Sequence, residues 1–374
     1  MIIAVNTRLL IKNKLEGIGW FSFETLKRIT QQHPEHEFIF IFDRKFDKDF
    51  IFSKNIKPIV IGPPARHPFL FYLWFEFSVT KILKQIKPDI FLSPDGYLSL
   101  RTKIPSLAII HDLNFEHYPE DLPWLVRKYY KYYFPKFAKK AKRIGTVSEF
   151  SKSDIIKQYS IPKEKIDVIF NGANENFNAP NELIKKETLE KYSKGKPYFI
   201  FVGSLHPRKN LSNLFLAFDK FKQTDNSEIK LLIAGEKKWW TQDIENAYKQ
   251  MTFADDVIFI GRVSEEKLAN IIGSALAMTF VSYFEGFGIP IVEAFYCETP
   301  VIASNVTSLP EVAGDAALFI DPFSVDSIAD AMQKIATDEN LRKDLIEKGK
   351  LRKQEFSWQK SADLLWKSIE ETVK

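Results

Sequence analysis

Residues 284–293 read Phe-Glu-Gly-Phe-Gly-Ile-Pro-Ile-Val-Glu. Two carboxylates, Glu285 and Glu293, flank a Gly286-Phe287-Gly288 turn and Pro290, a residue that fits the first turn of a helix. The preceding run, 275–282, is apolar and reads as a buried strand, so the segment is strand, glycine turn, helix. Glycine lets backbone N–H groups approach a ligand closely. A helix starting near Ile289 aims its positive end at that turn, which suits a phosphate. The amides of Phe287, Gly288 and Ile289 are then donors, Glu285 stands at the mouth, and Glu293 lies about one helical turn inside. Such a stretch suits a nucleotide-sugar. Taken alone, Glu-x7-Glu also describes an ordinary loop and helix with two solvated glutamates.

Working outward, the same alternation continues in both directions. Before the segment, 198–202, 230–234, 257–260 and 277–281 read as strands, and after it 301–303 and 318–320. Helical patterns fall at 211–221, 244–251, 265–274, 290–297 and 325–336. An earlier series has strands at 2–5, 38–42, 59–61, 90–93, 107–110 and 143–147, with helices at 19–32, 70–85, 125–140 and 151–159. Pro135 is expected to kink or split the third of these helices. The polar stretch 171–196 reads as a connection between the two series. Strand–helix alternation predicts parallel sheets with helices on both faces and ligands at the carboxyl ends of the strands. A chain of 374 residues accommodates two such domains. The tail 358–374 is one more amphipathic helix.

Composition narrows the class. Hydrophobic content of 45% with 27% charged residues is that of a globular protein. The one cysteine, Cys297, excludes a disulfide within the chain and fits a reducing compartment. Residues 1–6 read as a strand without a basic flank, not as a signal peptide. The most apolar later window, 69–79, is interrupted by Glu76 and is too short to span a bilayer. A net charge of +5 is too small to point to nucleic acid. The charge is nonetheless local: 127–143 carries eight lysines and arginines interleaved with tyrosines, and 69–77 is rich in aromatics. This pattern fits either an anionic membrane surface or a solvated helix face with its tyrosines in the core.

Arg208 and Lys209 follow the strand 198–202 and precede a helix. Two cations at a helix start oppose the macrodipole unless an anion sits there. Together they suit a diphosphate and the charge that builds as it departs. No cysteine–histidine metal spacing occurs, and the six histidines are scattered. The single Asp-x-Asp, Asp47-Lys48-Asp49, lies far from the donor motifs and reads as a solvated loop. No metal site and no cofactor are expected.

These motifs carry a resemblance. Phe284–Glu293, Thr299–Ser304, Leu309–Gly314 and the run Phe201-Val202-Gly203-Ser204-Leu205-His206-Pro207-Arg208-Lys209-Asn210-Leu211 are similar to glycosyltransferase family 4. Asn6-Thr7-Arg8, Gly17-Ile18-Gly19, His111-Asp112-Leu113 and Val147-Ser148-Glu149 match in the family's order, over essentially the whole chain. The resemblance implies a GT-B fold: two Rossmann-like, doubly wound parallel-sheet domains facing a central cleft. These are an acceptor-side domain, 1–172, a donor-binding domain, 173–355, and a last helix, 356–374, that crosses back to the first.

It also implies a retaining, metal-independent glycosyltransferase. A sugar would pass from a nucleoside-diphosphate donor to a growing, lipid-linked glycan, in the cytoplasm or at the inner face of the cytoplasmic membrane. By the same resemblance Glu285 contacts the donor sugar and Glu293 the ribose. Gly203, Ser204, Arg208, Lys209, Gly286, Phe287, Gly288 and Ile289 line the donor site, with Arg262 and Glu311 as further candidates. His111 faces the donor sugar, with Asp112 orienting it or capping the next turn. Gly17, Gly19, Asp112 and Glu149 lie on the acceptor side. Many members carry arginine where this chain has Ser204, and Arg208 is the candidate replacement. The 207–210 and 308–314 segments look most like the mannosyltransferase branch, hence GDP-mannose. UDP- and dTDP-sugar donors, a nucleotide-sugar 2-epimerase and a non-catalytic donor-binding subunit are the alternatives. A Rossmann oxidoreductase is disfavoured because Gly17-Ile18-Gly19 lacks the full dinucleotide fingerprint.

Overall fold

Strongly apolar runs of four to six residues place most of the strands. The computed structural model describes residues 1–174, 176–224 and 227–374. They divide into one unit formed by 1–172 and 358–374 and a second formed by 173–357.

In the first unit, seven strands form one sheet. They are β1 (Ile2–Asn6), β2 (Glu37–Phe42), β3 (Ile56–Val60), β4 (Ile90–Ser93), β5 (Ser106–Ile109), β6 (Arg143–Thr146) and β7 (Ile166–Val168). The order is β3-β2-β1-β4-β5-β6-β7, all pairs parallel. Central strands such as β4 are buried along their whole length, as sheets covered by helices on both faces require. The order reverses between β1 and β4, which opens a crevice at their carboxyl ends. Arg8 and Asp95 meet there in a buried ion pair of 2.6 Å.

The structure departs from the sequence expectation in four places here. Strand β7 is a three-residue edge strand, too short and too polar to stand out. The 70–85 helix is three pieces, with a π-helical stretch, Trp74–Val79, between Pro68–Leu73 and Thr80–Ile86. Within that stretch Glu76 is buried and accepts the Leu100 N–H at 2.8 Å. The helix Trp124–Lys140 is not split: it runs through Pro135. The carbonyl that Pro135 leaves without an N–H belongs to Lys131, an exposed residue on the solvent side of the helix, where losing one bond is tolerated. Finally, the helix expected at 19–32 starts two residues earlier, so Gly17 and Gly19 both lie in the first turn of the helix Gly17–Gln32. The C-terminal helix, Trp358–Val373, packs on that helix and bonds to β7 through Ser368 and Asp167 at 2.5 Å.

The second unit repeats the plan with β8 (Tyr198–Val202), β9 (Lys230–Ala234), β10 (Val257–Gly261), β11 (Ala277–Phe280), β12 (Val301–Ser304) and β13 (Leu318–Ile320). The order is β10-β9-β8-β11-β12-β13, again parallel. The reversal falls between β8 and β11. The stretch 171–196 is more than a connection, since it carries the helix Glu182–Ser193, capped by Asn181. A further helix, Glu339–Arg352, escapes the periodicity because only Leu345 and Gly349 on it are buried. Among the described residues, no helix is long and apolar enough to cross a membrane.

Candidate active site

At the β8–β11 reversal the chain leaves β8 through Gly203, whose φ of +148° disfavours a side chain. Gly235 packs so tightly beneath it that a Cβ there would lie 1.9 Å from the Gly203 carbonyl oxygen. This close crossing of two backbones fixes the loop that follows. A single helical turn, Pro207–Lys209, then presents the two cations, with His206 as its cap. The His206 Nδ1 accepts the Arg208 N–H at 3.3 Å. Burial, with the charges of Arg208 and Lys209, lowers the imidazole to about 4, so it stays neutral and able to accept. Asn210 follows in the left-handed region and donates to the carbonyls of Val281 and Pro322 at 3.0 and 2.7 Å, tying this turn to the carboxyl end of β11.

Glu285 meets both cations. Lys209 Nζ lies 2.6 Å from Oε1, and Arg208 Nη1 lies 2.6 Å from Oε2 and 3.0 Å from the Phe284 carbonyl. Glu285 and Lys209 are buried, while Arg208 is partly open to solvent. Burial alone would raise the Glu285 carboxyl, but the adjacent guanidinium and ammonium overcome it and hold the group at about 2. Ser308 Oγ donates to the carbonyls of Glu285 and Phe287 at 2.9 and 3.2 Å, which fixes the glycine turn. Gly288 has φ +103° and forms the N-cap of the helix Ile289–Tyr296, with Pro290 in its first turn. A Cβ on Gly288 would stand 2.9 Å from Leu309 Cδ2. Two cations against one carboxylate leave an excess of one positive charge beside a helix start, a setting for an anion.

The sequence expectation kept Glu285 for a sugar and the cations for phosphate. The geometry joins all three residues in one ion triad. Glu293, by contrast, sits a turn into the helix and does not join it. It is half-buried, and burial plus the nearby Glu265 charge raise its carboxyl to about 8. Glu265, the first residue of the helix Glu265–Gly273, accepts Asn174 Nδ2 at 2.8 Å. This pairing was not legible in the sequence, where Glu265 marks only a helix start. Ser204 and Arg262 are exposed at strand ends, and Glu311 lies in the short helix Leu309–Ala313, whose carbonyls bind Arg352.

In the first unit His111 follows β5. Its Nε2 lies 2.8 Å from the Pro94 carbonyl, which can only accept, so Nε2 carries the proton and Nδ1 is left as the acceptor of the neutral ring. Burial lowers its pKa and favours that neutral form. Phe21, from the helix that Gly17 opens, meets the ring edge-on at 5.0 Å. Of the two roles read for Asp112, the structure shows the cap: Oδ1 accepts the Asn114 N–H at 2.9 Å. Ser148 caps the helix Glu149–Tyr159, and Glu149 is exposed in its first turn. The Asp47-Lys48-Asp49 pair is engaged with Lys12 at 3.1 and 2.8 Å.

Two family models match the chain: "Glycosyltransferase Family 4" over residues 17–177 and "Glycosyl transferases group 1" over 181–352. The chain is 28% identical over 362 residues to O-antigen chain mannosyltransferase B of Escherichia coli, covering 93% of this chain and 94% of that protein. It is 29% identical over 226 residues to O-antigen chain mannosyltransferase RfbU of Salmonella typhimurium strain LT2, covering 60% of this chain and 59% of that one. Its fold is similar to the sucrose-phosphate synthase of Thermosynechococcus elongatus, with a TM-score of 0.79 at 18% identity, covering 99% and 98% of the two chains. That likeness identifies the two doubly wound units as a GT-B fold.

Proposed function

We propose that this chain, which belongs to glycosyltransferase family 4, transfers mannose from GDP-mannose to a growing, lipid-linked glycan, with retention and without a metal. The observation that carries the reading is the Arg208–Glu285–Lys209 triad at the carboxyl ends of β8 and β11. Its excess positive charge, next to the amides at the start of Ile289–Tyr296, suits the departing diphosphate and supplies the charge stabilisation that Mg²⁺ supplies elsewhere. The names of the two mannosyltransferases to which the chain is similar support mannose as the sugar and an O-antigen-like polymer as the acceptor class.

Both Glu285 oxygens are held by cations. That makes Glu285 a poor nucleophile and a good anchor for Arg208 and Lys209. The arrangement favours front-face attack, with the leaving phosphate taking the acceptor proton, over double displacement through Glu285. Glu293 in the protonated form can both donate to and accept from ribose hydroxyls.

The reading is tested by a thermal-shift screen with GDP, UDP, dTDP and their sugars. A ligand at about 100 times its dissociation constant stabilises by about 2.7 kcal/mol. Stabilisation by GDP and GDP-mannose is expected; a shift confined to UDP or dTDP compounds overturns the donor assignment.

A further inference from the structure

The expectation that the histidines are scattered fails at one turn. His33-Pro34-Glu35-His36 joins the helix Gly17–Gln32 to β2. There the His33 and His36 rings and the Glu35 carboxylate each aim one ligand atom into a common space, all within 4.8 Å of one another. His33 Nδ1 lies 3.6 Å and His36 Nε2 3.3 Å from Glu35 Oε1. A tetrahedral ion with bonds of about 2.0–2.1 Å needs ligand atoms roughly 3.3–3.4 Å apart. The two histidine–glutamate separations already match that span to within a few tenths of an ångström, and the two histidines, within 4.8 Å of each other, close the remaining gap by small rotations of their rings.

We infer that this turn binds a borderline divalent ion, Zn²⁺, Ni²⁺ or Cu²⁺, through His33, Glu35 and His36, with water completing the shell. Two imidazoles and a carboxylate are the donor set such ions prefer over Mg²⁺ or Ca²⁺. The turn is fixed before any ion arrives. Asn55 Nδ2 reaches the carbonyls of Thr30, His33 and His36 at 3.1, 3.0 and 3.0 Å, and Asn55 Oδ1 is itself held by Ser53. The Met1 amine stands 3.1 Å from His36 Nδ1, which orients that ring with Nε2 toward Glu35.

Trp366 of the C-terminal helix covers the pair. Its indole stacks on His33 at 3.6 Å and 14° and lies 5.2 Å from His36 at 20°. Both imidazoles therefore run nearly parallel to the indole, and their in-plane lone pairs point along its face rather than into it. Trp366 Nε1 donates to Glu370 at 3.1 Å, which brings a further carboxylate beside the site. Glu35 is largely exposed, so an ion has a path in. Bound metal would stiffen the His33–His36 turn under Trp366 and so secure the C-terminal helix on the first unit. The turn precedes β2, at the amino ends of the strands, whereas His111 follows β5 at their carboxyl ends. The role is structural and separate from the transfer chemistry.

The test uses the tag-free full chain. Ni²⁺ or Cu²⁺ should quench part of the tryptophan fluorescence in a saturable way, and Zn²⁺ should raise the thermal midpoint. Trp366→Phe should remove the quenchable component and keep the Zn²⁺ shift. His33→Gln with His36→Gln should weaken both responses at least about tenfold. Glu35→Gln, at an exposed position that leaves the fold intact, should weaken both in the same direction. Responses that do not saturate, or that persist unchanged in the Glu35 and histidine variants, overturn the site and leave a histidine–glutamate contact with no metal role.

Discussion

Lys209 Nζ and Glu285 Oε1 lie 2.6 Å apart in the second unit although 76 residues separate them in sequence. The loop after β8 and the loop after β11 are therefore locked by a buried ion pair, and the cations facing the proposed anion site depend on a carboxylate for their position. Removing one partner of a buried pair leaves an uncompensated charge and costs about 3–5 kcal/mol, whereas replacing both can be neutral. Glu285→Ala should destabilise the fold on that scale in urea unfolding, and Glu285→Ala with Lys209→Met should recover much of the loss. Independent, additive effects of the two changes would show that the pair is not coupled.

Lys209→Ala should lower turnover by about 10²–10³-fold, the scale of losing one preorganised charge-stabilising group. Single-turnover transfer from GDP-mannose measures it. Unchanged turnover and unchanged nucleoside-diphosphate affinity would remove Lys209 from the donor site.

Two carboxyls shift in opposite directions, and the pH consequences follow. Glu285 is depressed from 4.5 to about 2, so its contribution is present above the ordinary value and lost as pH falls toward 2. Glu293 is raised from 4.5 to about 8, so the fold favours its protonated form; that contribution is present below 4.5 and lost as pH rises through 8. Glu293→Gln should therefore gain thermal midpoint relative to wild type at about pH 9 and not at about pH 4. A difference that does not change with pH would mean that Glu293 is not displaced by burial and Glu265.

Much of this was readable from the chain. Strands such as β8 and β11 are buried along their whole length, so they appear as unbroken apolar runs. The glycine turn before Ile289 and the proline after it mark a helix start by local chemistry. What stayed hidden was set by tertiary contact. The ion triad unites residues from two loops, and Glu265 reaches Glu293 from a separate helix. Pro135 carries a breaking signal that solvent at Lys131 makes harmless. Trp366 lies far down the chain from the histidines it covers, and no spacing rule reveals that meeting.

Activity should survive excess EDTA, because Arg208 and Lys209 supply charge at the proposed diphosphate site. The same treatment should strip an ion from His33, Glu35 and His36 and lower the thermal midpoint of metal-loaded protein. Turnover abolished by EDTA and restored by Mg²⁺ or Mn²⁺ would show that the donor site needs a metal.

The first unit also presents a face suited to lipid. Phe69, Phe77, Trp124, Leu125 and Tyr132 are exposed there, whereas Tyr129 is buried, so the tyrosines of the basic helix divide between core and surface. Along Trp124–Lys140 the positions 124, 128, 132 and 136 alternate aromatic and cation on one stripe. Lys128 stands 4.1 Å over the Trp124 ring and Lys136 3.2 Å over Tyr132. Arg101 lies 4.4 Å over Phe77 in the same manner. Amphipathic rings among lysines match a headgroup boundary, and each cation near an anionic surface contributes about 1 kcal/mol that salt screens. The protein should co-sediment with vesicles containing phosphatidylglycerol at low salt and dissociate as salt rises. Lys136→Glu with Lys139→Glu and Lys140→Glu should abolish co-sedimentation and leave donor hydrolysis intact. Trp124→Ala should weaken binding even at low salt, since it removes apolar insertion and not charge. Wild-type protein that ignores anionic vesicles at low salt would make this stripe a solvated helix face, and a lipid-linked acceptor would then have to reach the enzyme through a glycan long enough to leave the membrane.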